Sequence, residues 1–260
     1  MASTSDRHRP SGGLGQLFIL AYDHLGSIVL LNILWGIGAI PWLIVAAAMS
    51  QLGVIAGAQL QIPAVGAVGL AAGFTFCLYS PPTFMLLVAT APWLRGQDTP
   101  DRARLWQLVR GRFLAVQGIG LLCSATTILF LVNVLFYHSW QGWLGATLSG
   151  FMVWLLAALA LVSLYWLPLL AADPQVPVRQ ALRRGLFLVF SHPLPSLVLL
   201  FTLILLAALG MVSGIGWLCG LWTVGALQLN LGVARLLHLH GGEPVAQTTP
   251  TWRQLLRPWE

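Results

Sequence analysis

The sequence predicts an all-α fold, namely a polytopic membrane protein with a six-helix transmembrane bundle and short amphipathic helices at the cytoplasmic interface. The first observation behind this prediction is composition: 58% of the 260 residues are hydrophobic and only 8% are charged. A soluble domain carries about 25% charged residues, so a chain this apolar lacks a surface that water would hydrate. A lipid bilayer removes that requirement, because a surface that faces hydrocarbon must be apolar.

The second observation is a series of apolar stretches, each close to the length of about 20 residues that a helix needs to cross a bilayer. A polar tail at residues 1–13, expected to be disordered, precedes the membrane domain at residues 14–238, and a second polar tail follows at residues 239–260. Within the membrane domain we predict spans at residues 25–48, 64–91, 113–136, 143–170, 194–212 and 217–237.

The third observation is the distribution of charge. All thirteen basic residues are arginine. They and the seven acids lie in the two tails, just before the first span at Asp23, in the second and fourth loops, and at the end of the sixth span at Arg235. The first, third and fifth loops carry no charged residue. The positive-inside rule places the arginine-bearing side in the cytoplasm. Both termini are therefore predicted to be cytoplasmic, and the net charge of +6 reflects topology rather than nucleic-acid binding.

The first span contains Pro41, which a membrane helix tolerates when neighbouring groups satisfy the freed carbonyl. After the first span, residues 49–63 are uncharged and rich in small residues. They are expected to form a loop that ends at Pro63. The sequence thus predicts a short first span followed by an extended uncharged connection.

The second span meets two consecutive prolines and is predicted to kink or break there, because each proline removes a backbone donor. Broken helices at membrane depth expose carbonyls and amides, and transporters bind solutes at such breaks. The candidate solute path therefore consists of Ser80, Pro81, Pro82 and Thr83. The alternative is a kink that serves packing alone.

Three segments on the cytoplasmic side place apolar residues at helical spacing, near residues 14–25, 105–116 and 178–186. The second and third segments also carry arginines, which are candidates for docking anionic lipid head groups or a partner protein. The alternative is a basic face that water solvates beside the membrane. The candidate docking residues are Arg102, Arg104, Arg110, Arg112, Arg179, Arg183 and Arg184.

Asp23 lies at the foot of the first span and is the acid closest to the membrane. We expect it to act as a loop clamp by pairing with an arginine of the second or fourth loop, such as Arg112 or Arg183. A proton relay is the alternative, since acids at membrane depth often carry protons.

Polar side chains within spans are expected to form hydrogen bonds between helices. They are Asn32, Gln117, Asn133, Gln228 and Asn230. Three tryptophans that lie deep in the predicted spans are expected to pack between helices rather than at the membrane surface. They are Trp35, Trp154 and Trp222.

Five short motifs occur along the chain in a characteristic order. They are Asn32-Ile33-Leu34-Trp35, Ser80-Pro81-Pro82-Thr83, Arg95-Gly96-Gln97-Asp98, Tyr165-Trp166-Leu167-Pro168-Leu169-Leu170 and Arg179-Gln180-Ala181-Leu182-Arg183-Arg184. In order and spacing the chain resembles the YesL-like family of small bacterial integral membrane proteins over residues 14–238. The resemblance implies a bacterial cytoplasmic (inner) membrane location and an association with carbohydrate uptake systems.

The sequence argues against catalysis and energised transport. No charged residue lies deep in a predicted span, and no phosphate-binding loop, HExxH, GxSxG or paired-carboxylate motif occurs. We therefore expect no enzyme activity, no cofactor and no metal. The preferred hypothesis is a non-catalytic accessory or scaffold protein whose partners are the lipid bilayer and membrane transporter subunits. Two alternatives remain: an uncoupled permease or channel for a small solute at the broken second span, and a membrane-embedded enzyme.

Overall fold

A computed structural model describes residues 13–173, 175–213 and 220–239, and within them every regular element is helical, which confirms the all-α prediction. The helices are α1 (Gly13–Asp23), α2 (Leu25–Gln59), α3 (Ala64–Leu78), α4 (Pro81–Thr90), α5 (Arg102–His138), α6 (Trp143–Ala172), α7 (Val178–Ser191), α8 (Pro193–Ser213) and α9 (Leu221–Leu239). A 3₁₀ segment, Ala91–Arg95, continues α4.

The helices differ in their capacity to cross a bilayer. Four of them, α2, α5, α6 and the Pro193–Gly210 part of α8, are long and apolar enough to do so. The pair formed by α3 and α4 meets the same criterion as one bent unit, with an angle of 42° across the break. The described residues thus contain four candidate spans, or five with the bent pair, and α9 is a shorter apolar helix. The sixth predicted span begins at residues 217–219, outside the described residues, and stays a prediction.

The prediction of a loop at residues 49–63 is wrong. Helix α2 continues to Gln59, and only a short turn separates it from α3. The reason is close packing between α2 and α3. A Cβ atom added at Gly69 would lie 2.5 Å from the Met49 carbonyl oxygen, and one added at Gly73 would lie 2.6 Å from the Ala46 carbonyl oxygen. The small residues, which in the sequence suggested a loop, form the contact surface between α2 and α3. We call these two helices the α2–α3 hairpin.

The second predicted amphipathic segment, near residues 105–116, is not a separate interfacial helix. It is the first part of α5, which runs without interruption from Arg102 to His138. The apolar stripe predicted at its start faces the core, since Leu105, Val109 and Val116 are all buried. The two other predicted amphipathic segments lie on separate short helices, α1 and α7.

The core of the fold surrounds α4. Nine of the ten residues of α4 are buried, and the helix packs against α2, α5, α6 and α9. The helix break at the start of α4 therefore lies inside the bundle rather than at its edge. This position makes the break the centre of the candidate site.

Candidate functional site

The predicted break in the second helix unit is present and lies at Tyr79 and Ser80. Tyr79 leaves α3 with φ −97° and ψ 43°, and Ser80 is extended with φ −98° and ψ 158°. Pro81 and Pro82 then occupy the first turn of α4. Proline is well placed there, because a first-turn residue has no intrahelical acceptor for its amide and the ring fixes φ near the helical value. The prolines thus start a new helix instead of kinking an existing one.

Side-chain hydrogen bonds close the break from the side of α2. The Trp35 indole Nε1 donates to Thr83 Oγ1 at 3.1 Å. Thr83 Oγ1 also lies 3.3 Å from Ser80 Oγ and 3.4 Å from the Cys77 carbonyl oxygen. Trp35, Ser80 and Thr83 are all buried. The Cys77 carbonyl oxygen and the side chains of Trp35, Ser80 and Thr83 are therefore bonded within the protein.

The break is also held by α5 and α6. Tyr79 donates its hydroxyl proton to Ser163 Oγ at 2.6 Å, and Ser163 Oγ donates to the Ala160 carbonyl oxygen at 3.0 Å. On the α5 side, a Cβ atom added at Gly120 would lie 2.6 Å from the Tyr79 carbonyl oxygen. Backbone and side chain of Tyr79 are thus fixed by two different helices.

Helix α9 is joined to α2 next to the break. The Trp35 and Trp222 rings stack with centroids 4.2 Å apart and an interplanar angle of 23°. The Trp222 amide donates to Asn32 Oδ1 at 3.2 Å, and Thr223 Oγ1 donates to the Ile28 carbonyl oxygen at 3.3 Å. Sequence reasoning foresaw that Trp35 and Trp222 pack between helices, but it gave no means of pairing them.

Polar side chains within the helices mostly bond to other helices, as predicted. Trp42 Nε1 donates to Gln117 Oε1 at 2.8 Å. Asn230 Nδ2 donates at 2.9 Å both to the Leu87 carbonyl oxygen and to Thr90 Oγ1. Two further polar residues extend the pattern, since Asn32 accepts from the Trp222 amide and Gln228 Nε2 donates to Thr202 Oγ1. The exception is Asn133, which donates to the Leu129 carbonyl oxygen of its own helix.

A cavity of about 240 Å³ lies beside the break, between the α3–α4 unit and helices α6, α8 and α9. Its wall is almost entirely leucine, isoleucine, phenylalanine, alanine and proline, and its polar side-chain groups come chiefly from Tyr79, Thr83 and Ser163. Of the four residues proposed as a solute path, Thr83 alone lines this cavity. Ser80, Pro81 and Pro82 are buried in the surrounding packing.

The candidate docking arginines lie on two helices. Arg102, Arg104 and Arg110 are exposed near the start of α5, where Arg112 is half-buried. Arg179, Arg183 and Arg184 are exposed on α7. The second group lies beside two exposed aromatic side chains, since Phe187 is 61% exposed and Phe190 is 66% exposed. We call these five α7 residues, Arg179, Arg183, Arg184, Phe187 and Phe190, the α7 outer face.

The opposite side of α7 is packed against the bundle. Ala181, Gly185, Leu188 and Val189 are buried there. Gly185 lies against Trp166 of α6, so closely that an added Cβ atom would be 2.8 Å from the indole Cδ1. The α7 outer face is therefore held in a fixed direction, away from the core.

The foot of α2 is fixed by contacts that the sequence did not suggest. Asp23 is exposed, and the clamp from Asp23 to an arginine stays a prediction. The neighbouring His24 stacks on Trp93, with ring centroids 4.3 Å apart and an angle of 8°. On α9, Arg235 Nη2 donates to Gln16 Oε1 at 3.1 Å, which joins the end of α9 to α1.

Comparison of the chain with protein-family models, with curated proteins and with solved structures gives no match. Among the described residues, no three His, Cys, Asp or Glu side chains gather as metal ligands. Within the described residues, the features that bear on function are the helix break, the cavity and the α7 outer face.

Proposed function

We propose that this chain is a six-span protein of the bacterial cytoplasmic membrane, with both termini in the cytoplasm, and that it acts as a non-catalytic accessory or scaffold protein. Four or five candidate spans in the described residues and the additional apolar helix α9 support the membrane location. The absence of arginine from the predicted first, third and fifth loops supports the orientation. The resemblance to the YesL-like family supports a partner among carbohydrate uptake systems.

The observation that carries this proposal is the α7 outer face. Arg179, Arg183 and Arg184 are exposed together on a helix whose other side is packed on α6. Arginine and aromatic side chains are enriched at protein interfaces, because both present large contact areas and specific geometry. Charge complementarity points to an acidic surface on the membrane partner. Anionic lipid head groups are the competing ligand for the same arginines.

The uncoupled permease is less well supported as the function. A polar solute needs convergent polar groups along its path. At the break, however, the side chains of Trp35, Ser80 and Thr83 are buried and bonded to one another. The adjoining cavity is lined by apolar side chains. Helix breaks in solute carriers line a cavity with exposed backbone, whereas this break is packed on several sides.

The test is affinity purification of the tagged full chain from its native membrane in a mild detergent, with mass spectrometry of the proteins recovered. We expect stoichiometric recovery of membrane transporter subunits. The triple variant R179Q/R183Q/R184Q should lose that partner, whereas R179K/R183K/R184K, which keeps the charge, should retain most of it. Recovery of the chain alone, as a monomer or homo-oligomer, would overturn the accessory role and favour solute-flux assays in liposomes.

A further inference from the structure

The cavity beside the helix break has a size and a lining that suit one narrow apolar group. Its volume of about 240 Å³ exceeds the roughly 150 Å³ of an engineered apolar cavity that binds benzene. It is smaller than the roughly 300–1,000 Å³ of pockets for drug-sized ligands. This volume suits a stretch of hydrocarbon chain, and the apolar lining rather than the size disfavours a sugar or a nucleotide.

Three hydroxyl groups in the wall, those of Tyr79, Thr83 and Ser163, already take part in hydrogen bonds within the protein. The Tyr79 hydroxyl proton is donated to Ser163, and the Ser163 proton is donated to the Ala160 carbonyl oxygen. Thr83 Oγ1 accepts from the Trp35 indole. A polar ligand placed against these three hydroxyl groups would therefore leave groups unpaired, at a cost of about 1–3 kcal/mol for each. An apolar ligand gives up no hydrogen bond by entering.

The rim of the cavity points to the source of such a ligand. Phe74 on α3 and Ile204 on α8 line the cavity and are also 51% and 57% exposed. Helix α8 is the least buried of the candidate spans and forms the outer wall. In a bilayer the exposed sides of α3 and α8 face hydrocarbon. The mouth of the cavity is thus continuous with the lipid-facing surface and opens toward acyl chains rather than toward water.

We infer that this cavity binds one acyl chain of a membrane phospholipid, inserted sideways between α8 and the α3–α4 break. The inference rests on the proposed membrane location, since the ligand is supplied by the bilayer. It assigns the cavity a lipid ligand that lies against Tyr79, Thr83 and Ser163, the residues that hold the break. Chain occupancy would then stabilise the packing of α8 against the rest of the bundle.

Gly225 offers a direct way to fill the cavity. It lines the wall on α9, and a Cβ atom added there meets no other atom within 4 Å, so Gly225→Leu can place its side chain in the open space. Ala207→Phe fills the same space from α8. Gly150→Leu is the matched control, because Gly150 is exposed on α6 and an added Cβ atom there also meets nothing within 4 Å.

The experiment reconstitutes the full chain in phosphatidylethanolamine vesicles that contain a phospholipid with a photoreactive diazirine near the end of one acyl chain. After irradiation, mass spectrometry measures attachment at cavity positions such as Leu167 and at exposed positions such as Val198. We expect attachment at both in the wild-type chain and in Gly150→Leu. In Gly225→Leu and in Ala207→Phe we expect a severalfold loss at cavity positions, with Val198 unchanged.

Three results would overturn the inference, and they are distinguishable. Attachment at Val198 without attachment at cavity positions in the wild type would show a membrane-embedded chain whose cavity holds no lipid. Absence of attachment at Val198 as well would remove the membrane location itself, and the acyl-chain site with it. Equal labelling of cavity positions in wild type and both filled variants would also count against the site.

Discussion

Trp35 Nε1 lies 3.1 Å from Thr83 Oγ1, and this buried hydrogen bond joins the middle of α2 to the first turn of α4, next to the helix break. Because Thr83 also lies within hydrogen-bond distance of Ser80 and the Cys77 carbonyl oxygen, one hydroxyl connects both sides of the break. The break is thus an ordered part of the core, and side chains from two helices hold it in place.

Replacing Thr83 by valine should destabilise the bundle, because it keeps the shape of the side chain and removes the acceptor for the Trp35 indole. We expect a loss of about 1–3 kcal/mol in the free energy of unfolding, the cost of a buried unpaired donor. Denaturant unfolding of the purified chain in detergent measures it. Thr83→Ser, which keeps the hydroxyl, should lose less, and equal losses in the two variants would contradict the role of the bond.

Replacing Gly73 by alanine should force α2 and α3 apart. An added Cβ atom at this position would lie 2.6 Å from the Ala46 carbonyl oxygen and 2.9 Å from Ala46 Cα. We expect a loss of about 1–3 kcal/mol, typical of overpacking, seen as a lower thermal midpoint. Gly36→Ala on α2 is the control, since a Cβ atom there meets nothing within 4 Å. A Gly73→Ala midpoint at or above that of Gly36→Ala would exclude close packing of this hairpin.

Asn230 and Thr90 should be energetically coupled, because Asn230 Nδ2 donates to Thr90 Oγ1 at 2.9 Å across α9 and α4. A double-mutant cycle of Asn230→Leu and Thr90→Val should give a coupling energy of about 0.6 kcal/mol, with about 1.7 as the upper end for such bonds in membrane proteins. Asn133→Leu should change stability less, since Asn133 bonds to its own helix at the Leu129 carbonyl oxygen. Strict additivity of the two changes would show that the bond contributes nothing.

The proposed orientation predicts which side each loop faces. In a background with Cys77, Cys123 and Cys219 replaced by alanine, Gln141→Cys in the third loop should react with a membrane-impermeant maleimide in intact spheroplasts. Gln180→Cys on α7 should react only after the membrane is permeabilised. The physical reason is the arginine-bearing character of the side that contains Gln180. The opposite pattern would invert the topology, and labelling of both positions from outside would contradict the number of spans between them.

The helix break was predictable because proline chemistry is local. Two prolines in succession cannot lie inside a helix, and they fit a first turn. What closes the break was not predictable, since the Trp35–Thr83 and Tyr79–Ser163 bonds join residues that are 48 and 84 positions apart in the chain. Such pairings depend on helix packing, and a single sequence carries no signal of it.

Small residues misled the sequence interpretation of residues 49–63 for a related reason. Glycine favours loops by its backbone freedom, yet Gly53 and Gly69 lie within two helices whose backbones nearly touch. Trp154 shows the reverse error: it was expected between helices, but its side chain is exposed on α6. Depth along a span is visible in the sequence, whereas the direction that a side chain faces depends on neighbouring helices.

The length of α2 has a consequence for the bilayer itself. Its 35 residues correspond to about 52 Å at about 1.5 Å per residue, whereas the hydrocarbon layer is about 30 Å thick and helix tilt rarely exceeds about 40°. Tilt alone cannot absorb the excess, so in the proposed orientation the uncharged end of the α2–α3 hairpin extends beyond the hydrocarbon of the outer leaflet. To the extent that the bilayer thickens locally around it, a protein placed in this way is more stable in thicker membrane regions and beside neighbours with similarly long helices.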